Sequence, residues 1–168
     1  MINYDEMTRL SIEVGKVLIE KKSTITTAES CTGGWIAKVI TDIAGSSEYY
    51  HRGFVTYSNE AKHEMIGVDE QTLLKYGAVS EEVVLQMAKG ALITANADFA
   101  VSVSGIAGPG GGSEEKPVGL VWFGFAMKTP KGIQATAKHC IFSGSREQVR
   151  ADSVIFSLKS IVKEIINN

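Results

Sequence analysis

Cysteine and histidine are scarce in this chain: 168 residues hold Cys31 and Cys140, together with His51, His63 and His139. The two cysteines lie far apart, with no Cys-x-x-Cys pair and no Cys/His cluster, which argues against a disulfide framework and against zinc, and is expected to leave both as free thiols. The histidines fit no helical or hairpin ligand spacing, so no metal is expected. Charge of one sign is also lacking. Lys and Arg total 17 against 19 Asp and Glu, a formal net charge of -2. No global positive field exists to hold nucleic acid or an anionic membrane, although a local basic patch is left open. No apolar run approaches the roughly 20 residues that cross a bilayer. The N-terminus opens as a polar, acidic helix start with no signal-peptide core, and a cytoplasmic protein is expected.

What is present is the balance of one ordinary domain over 1–168, 44% hydrophobic and 21% charged. Met7, Leu10, Val14, Val17 and Leu18 recur at helical spacing and predict an amphipathic helix from Asn3 to Lys22. Thr24 to Thr27 then reads as a strand that turns at Ala28–Gly34 into a helix through Ile40. Glu48 to Tyr57, rich in aromatic and β-branched residues, predicts a second strand, and Asn59 is expected to cap a short helix carrying Lys62. Ser80 starts a helix that runs to Asn96 and feeds the apolar strand Phe99–Val103. A glycine-rich loop, Gly105–Ser113, follows. Val118–Met127 and Ile133–Phe142 flank Lys128–Gly132 as an antiparallel hairpin, and a last helix begins near Ser145. Alternating helices and strands with a terminal hairpin give an α/β fold, a three-layer α/β/α sandwich on a mixed, mostly parallel sheet. Ligands in such sheets bind beyond the carboxyl ends of the strands, where both glycine-containing junctions fall.

Ser30 lies at the first of these junctions. It reads either as a helix N-cap or as a nucleophile, the latter requiring a base and donors for an oxyanion. Tyr57 and Lys62 flank the end of the neighbouring strand and are the candidate base and its helper. A lysine serves as base only where burial or nearby positive charge lowers its pKa, and the alternatives are a solvated lysine and a core or edge tyrosine. The Gly105–Gly112 loop is either a plain connection or a backbone nest for phosphate or carboxylate. It has neither the Gly-Lys-Ser/Thr ending of a P-loop nor a Gly-x-Gly-x-x-Gly pattern. Arg146 and Arg150, four residues apart, share a helix face suited to an anion, or pair with acids such as Glu147. Ser113–Lys116 has the bare Ser-x-x-Lys spacing but no companion motif, and is set aside. Trp35 and Trp122 read as core or interface aromatics.

Taken in order, Ala28-Glu29-Ser30-Cys31-Thr32-Gly33-Gly34, Val55–Lys62, Gly77-Ala78-Val79-Ser80 and Gly105–Gly111, continued by Lys116–Gly119 and Ser145-Arg146-Glu147, strongly resemble the CinA C-terminal domain family over nearly the whole chain. His51-Arg52-Gly53-Phe54 departs from the family's glycine-rich wording before the tyrosine block. The resemblance implies a nicotinamide-nucleotide amidohydrolase that converts nicotinamide mononucleotide to nicotinate mononucleotide and ammonia in bacterial pyridine-nucleotide salvage. It makes Ser30 the nucleophile, Lys62 the general base and Tyr57 a relaying or orienting group. It further implies oxyanion donors among Cys31, Thr32, Gly33 and Gly34, and nucleotide contacts from Ser104, Gly105, Gly108, Gly110, Arg146 and Arg150, with neither metal nor cofactor. Many members carry a further N-terminal domain that resembles a molybdopterin-binding fold; beginning at the helix before Ser30, this chain looks like the stand-alone form. The competing reading is a non-catalytic nucleotide-binding or regulatory module linked to competence or DNA damage. A homo-oligomer is expected, a dimer above all.

Overall fold

A computed structural model describes all residues, 1–168. In chain order the elements are α1 (Tyr4–Lys21), β1 (Ile25–Glu29), α2 (Trp35–Thr41), a 3-10 turn at Ser46–Glu48, β2 (Phe54–Val55), α3 (Asn59–Ile66), α4 (Glu70–Tyr76), α5 (Glu81–Ala95), β3 (Phe99–Gly105), β4 (Leu120–Thr129), β5 (Gly132–Ile141) and α6 (Arg146–Asn167). The five strands form one sheet in the order β2-β1-β3-β4-β5. β1 pairs in parallel with β2 and β3, while β3–β4 and β4–β5 are antiparallel. The mixed sheet is as the sequence predicts. No helix is long and apolar enough to cross a membrane.

The sheet's two faces are built from different residues. Val101, Val103, Phe123 and Phe125 bury against Met7, Leu10, Val14 and Leu18 of α1, against Ile36 and Ile40 of α2, and against Val154, Leu158 and Ile161 of α6. The opposite face is lined by small side chains. Ala100, Ser102, Gly124 and Ala126 leave room for the backbone of α5 to come close, and a Cβ on Gly124 would stand 2.2 Å from the Val84 carbonyl. Ser102 donates its hydroxyl to that same carbonyl at 2.6 Å, so the one polar group on this stripe is satisfied by the helix it faces. β1 and β3 are covered on both sides, which is why they read as continuous apolar and Thr/Ser runs without alternation.

Three stretches differ from the sequence reading. The strand expected over Glu48–Tyr57 shrinks to Phe54–Val55 plus a lone bridge from Tyr50 to Ile25. Side chains of β1 take over the pairing. Thr26 Oγ1 donates to the Arg52 carbonyl at 2.8 Å and Thr27 Oγ1 meets the Tyr50 hydroxyl at 2.9 Å. Gly53 packs so closely there that a Cβ would stand 2.5 Å from Thr27 Oγ1. The helix carrying Lys62 is capped by Ser58, whose Oγ accepts from the Ala61 N–H at 3.0 Å, one residue before the expected Asn59. α4, which the sequence reading did not assign, is capped by Asp69 and joined to α3 by His63, whose Nδ1 meets the Val68 carbonyl at 2.8 Å. Ser80 and Ser145 cap α5 and α6 as expected.

α3 rides on α5 at Gly90, where a Cβ would stand 1.8 Å from the Ile66 carbonyl. Gly90→Ala brings the helix-propensity gain of about 1 kcal/mol that alanine has over glycine. The backbone collision outweighs it, and the expected outcome is a net loss of about 1–3 kcal/mol, read as a lower urea midpoint at unchanged m.

Candidate active site

β1 ends at Glu29, and the next residues cannot continue the ladder because the chain turns back under the sheet end. Ser30 keeps one strand-like bond, its N–H to the Val103 carbonyl at 3.0 Å. A tight turn then closes with the Gly33 N–H on the Ser30 carbonyl at 3.0 Å, and Gly33 and Gly34 follow at φ +62° and +101°. Two successive left-handed residues are open to glycine at little cost, which accounts for the pair after Thr32. Gly34, not Ser30, is the N-cap of α2, so the serine's hydroxyl is left for other work.

That hydroxyl faces Lys62. Lys62 Nζ lies 3.0 Å from Ser30 Oγ, 2.9 Å from the Thr56 carbonyl and 3.2 Å from the Tyr57 carbonyl. The lysine is 1% exposed, among the most enclosed large side chains of the protein, and has no acidic partner. The sequence could not choose between a solvated and a buried lysine; the structure buries it. Burial lowers its pKa from 10.5 to about 8. The neutral amine has two N–H bonds and one lone pair, matching two carbonyl acceptors and one hydroxyl. The Thr56 and Tyr57 carbonyls therefore orient the lone pair at the Ser30 O–H, which is the geometry of a general base on its nucleophile.

Tyr57 contributes through its main chain. Its ring is 60% exposed, and its hydroxyl accepts from Arg146 Nη2 at 3.1 Å; neither Ser30 nor Lys62 touches that hydroxyl. The direct relay expected of this side chain has no contact to run through, whereas the orienting role passes to the carbonyl. Arg146 also donates from Nη1 to the Gly108 carbonyl at 2.8 Å, tying α6 to the glycine-rich loop and to Tyr57 over the same sheet end. A Cβ on Gly110 would meet nothing and Gly111 adopts φ +87°; both are exposed, so the tip of that loop presents open backbone. Ser104 is buried at the end of β3, one residue past Val103.

Two further residues were not singled out from the sequence. Glu29 is buried, and its carboxylate accepts from Thr32 Oγ1 at 2.7 Å, the Ile36 N–H at 2.8 Å and the Ala37 N–H at 3.0 Å. Desolvation raises its pKa, while those donors oppose the rise. The Thr56 carbonyl is the other. Glu29 carried a signal, since an acidic residue just upstream of a helix start is a familiar capping pattern; the carbonyl carried none. Cys31, beside Ser30, has its thiol pushed up to about 11 by burial and stays protonated at neutral pH.

An α/β/α sandwich that sets a serine on a buried lysine at the carboxyl end of its central strands has the equipment of a Ser–Lys hydrolase. Residues 7–165 match the CinA C-terminal domain, and the chain belongs to that family. It is 59% identical over 163 residues, 97% of either chain, to the nicotinamide-nucleotide amidohydrolase PncC of Escherichia coli K12. A protein of the same name from Enterobacter agglomerans is 60% identical over 159 residues, 95% of each chain. A CinA-like protein of Endomicrobium trichonymphae is 45% identical over 99% of this chain, which corresponds to 38% of that longer protein. Among solved structures, the competence/damage inducible protein CihA from Agrobacterium tumefaciens superimposes with TM-score 0.88 at 44% identity, covering 94% of both chains. The competence damage-inducible protein A (ComA) of Klebsiella pneumoniae gives 0.90 at 38% identity, covering 95% of this chain and 97% of that one.

Lysine side chains labelled at Cε with carbon-13 are expected to show one resonance titrating near pH 8 in the folded protein. That resonance should be missing from Lys62→Met. A single cluster of midpoints near 10 would place the amine in solvent instead.

Proposed function

We propose that this chain is a nicotinamide-nucleotide amidohydrolase that converts nicotinamide mononucleotide to nicotinate mononucleotide and ammonia, with Ser30 as nucleophile and Lys62 as general base. The observation that carries the reading is the 3.0 Å approach of a buried lysine with no acidic partner to a serine hydroxyl that no cap employs. The names of the two relatives of similar length, at 59% and 60% identity, supply the substrate class.

Neutral Lys62 takes the Ser30 proton as Oγ attacks the carboxamide carbon, and the carbonyl oxygen becomes an oxyanion. Collapse breaks the C–N bond, the nitrogen leaving as ammonia with the proton that Lys62 returns. Ser30 is then esterified by the nicotinate acyl group. A water molecule, deprotonated by the same amine, attacks the ester, and its collapse restores the Ser30 hydroxyl and releases the acid. Each half-reaction uses Lys62 once as base and once as acid, which suits a group whose pKa of about 8 is close to the working pH. The exposed ring of Tyr57 offers a face for the pyridine, and the exposed N–H groups of Gly110 and Gly111, beside the Gly108 carbonyl that Arg146 holds, offer donors to ribose and phosphate. Two thiols without a disulfide suit a reducing cytoplasm, where such a salvage step would run.

Purified protein given nicotinamide mononucleotide and a chelator is expected to release ammonia and nicotinate mononucleotide in equal amounts. Ser30→Ala and Lys62→Met should each lose about 10³-fold or more of kcat while melting as cooperatively as the parent. The base must be neutral, so kcat/KM should climb about tenfold per pH unit below 8 and level off above it. Full turnover by Ser30→Ala would remove the nucleophile assignment. A folded wild type that binds the nucleotide and releases nothing would favour the binding-module reading.

A further inference from the structure

The oxyanion needs donors, and the structure narrows which ones are free. After Ser30, the Gly33 N–H is taken by the Ser30 carbonyl and the Trp35 N–H by the Thr32 carbonyl at 3.1 Å. The Ile36 and Ala37 N–H groups go to the Glu29 carboxylate, which also faces the Gly34 N–H. The start of α2 is therefore spent on Glu29. The N–H groups of Cys31 and Thr32 donate to no oxygen of the chain.

Both of these amides are held by their carbonyl ends. A trans peptide is planar, so fixing its C=O fixes the N–H on the opposite side. The Ser30 carbonyl, which shares a peptide with the Cys31 N–H, is held by Gly33. The Cys31 carbonyl, which shares one with the Thr32 N–H, accepts from Arg150 Nε at 3.0 Å, and the Thr32 carbonyl accepts from Arg150 Nη2 at 3.2 Å. The guanidinium packs against the turn: a Cβ at Gly33 would be 3.3 Å from Nη2, and the Trp35 ring centre is 5.6 Å from Cζ. A cation on a carbonyl oxygen also polarises that amide and strengthens its N–H as a donor. Thr32 is gripped a third time, through its hydroxyl, by Glu29.

We propose that Arg150 and Glu29 are positioning residues that aim the Cys31 and Thr32 N–H groups as the oxyanion hole of Ser30, and that Arg150 is not a ligand of the substrate phosphate. The inference rests on the Ser30 hydrolase reading and extends it. Arg150 spends the Nε and Nη2 edge of its fork on two backbone carbonyls, the edge a bidentate phosphate ligand would keep free. Arg150→Lys retains the charge and loses the fork.

The test compares Arg150→Lys and Arg150→Met on nicotinamide mononucleotide and on nicotinamide riboside, which lacks the phosphate. The expected result is a fall in kcat of about 100-fold, the scale of losing or misaiming one oxyanion donor. The fall should be the same for both substrates, with KM within about threefold and the pH midpoint still near 8. Glu29→Gln should give the same kinetic signature together with a lower melting temperature. Should that variant fail to fold, the arginine pair carries the test. A loss confined to the mononucleotide and expressed in KM would make Arg150 a phosphate ligand and overturn the proposal; unchanged kcat would overturn it too. A second readout needs no turnover. The rate at which a fluorophosphonate labels Ser30, followed by mass spectrometry, should drop about as far as kcat in Arg150→Lys. Brisk labelling of a wild type that releases no ammonia from either substrate would remove the amidohydrolase reading, and the labelling rates would still decide the role of Arg150, an unchanged rate counting against it.

Discussion

Everything at the site depends on one unusual burial: a lysine amine withdrawn from water and met by a serine hydroxyl and two main-chain carbonyls. Charged amines strongly resist such an environment, and the resistance appears here as a pKa near 8. The carbonyls of Thr56 and Tyr57 are what make the burial tolerable, since each gives an N–H of Lys62 a partner at 2.9 and 3.2 Å. They are available because β2 stops at Val55. A longer β2 would commit those groups to the ladder and leave the amine without acceptors.

The short β2 follows from its neighbour. β1 supplies Thr26 and Thr27, whose hydroxyls meet the Arg52 carbonyl and the Tyr50 side-chain hydroxyl, so side-chain contacts hold this irregular segment where a regular strand would have used its ladder. From Val55 the chain bends over the sheet end and enters α3 under a Ser58 cap, which fixes where Lys62 starts. α3 is placed in turn by α5, drawn close to the sheet by Ala100, Ser102, Gly124 and Ala126. The glycines and alanines of β3 and β4 thus act at a distance on the position of Lys62.

Much of this was legible in the sequence where the signal is local. The periodicity of Met7–Leu18 and Val154–Ile165 marks α1 and α6, Ser80 and Ser145 mark helix starts, and the Gly33-Gly34 pair after Ser30 marks a turn that other residues disfavour. The family motifs marked Ser30 and Lys62 together. The rest depended on contacts with no pattern of their own. Strand-like composition over Glu48–Tyr57 was overridden by threonine hydroxyls some 25 residues away. Tyr57 reads as a side-chain participant but meets Lys62 through its carbonyl, a group every residue possesses. Arg146 and Arg150 share a face as spacing required, yet one reaches the glycine-rich loop and the other the Ser30 turn.

The buried carboxylate and the buried amine on either side of Ser30 are kept apart by the kind of partner each has. Glu29 is satisfied by donors, the N–H groups of α2 and the Thr32 hydroxyl, and Lys62 by acceptors, the carbonyls after β2. Had the carboxylate reached the amine, the ion pair would have stabilised the ammonium, raised its pKa and removed the base at neutral pH. Main-chain dipoles solvate both groups without that penalty, because they are fixed by the fold and carry no net charge. Helix α2 therefore has a purpose beyond covering the sheet. By absorbing Glu29 at its N-terminus it leaves Lys62 free of a counter-ion, and a lysine without a counter-ion in a dry site is one that can accept a serine's proton.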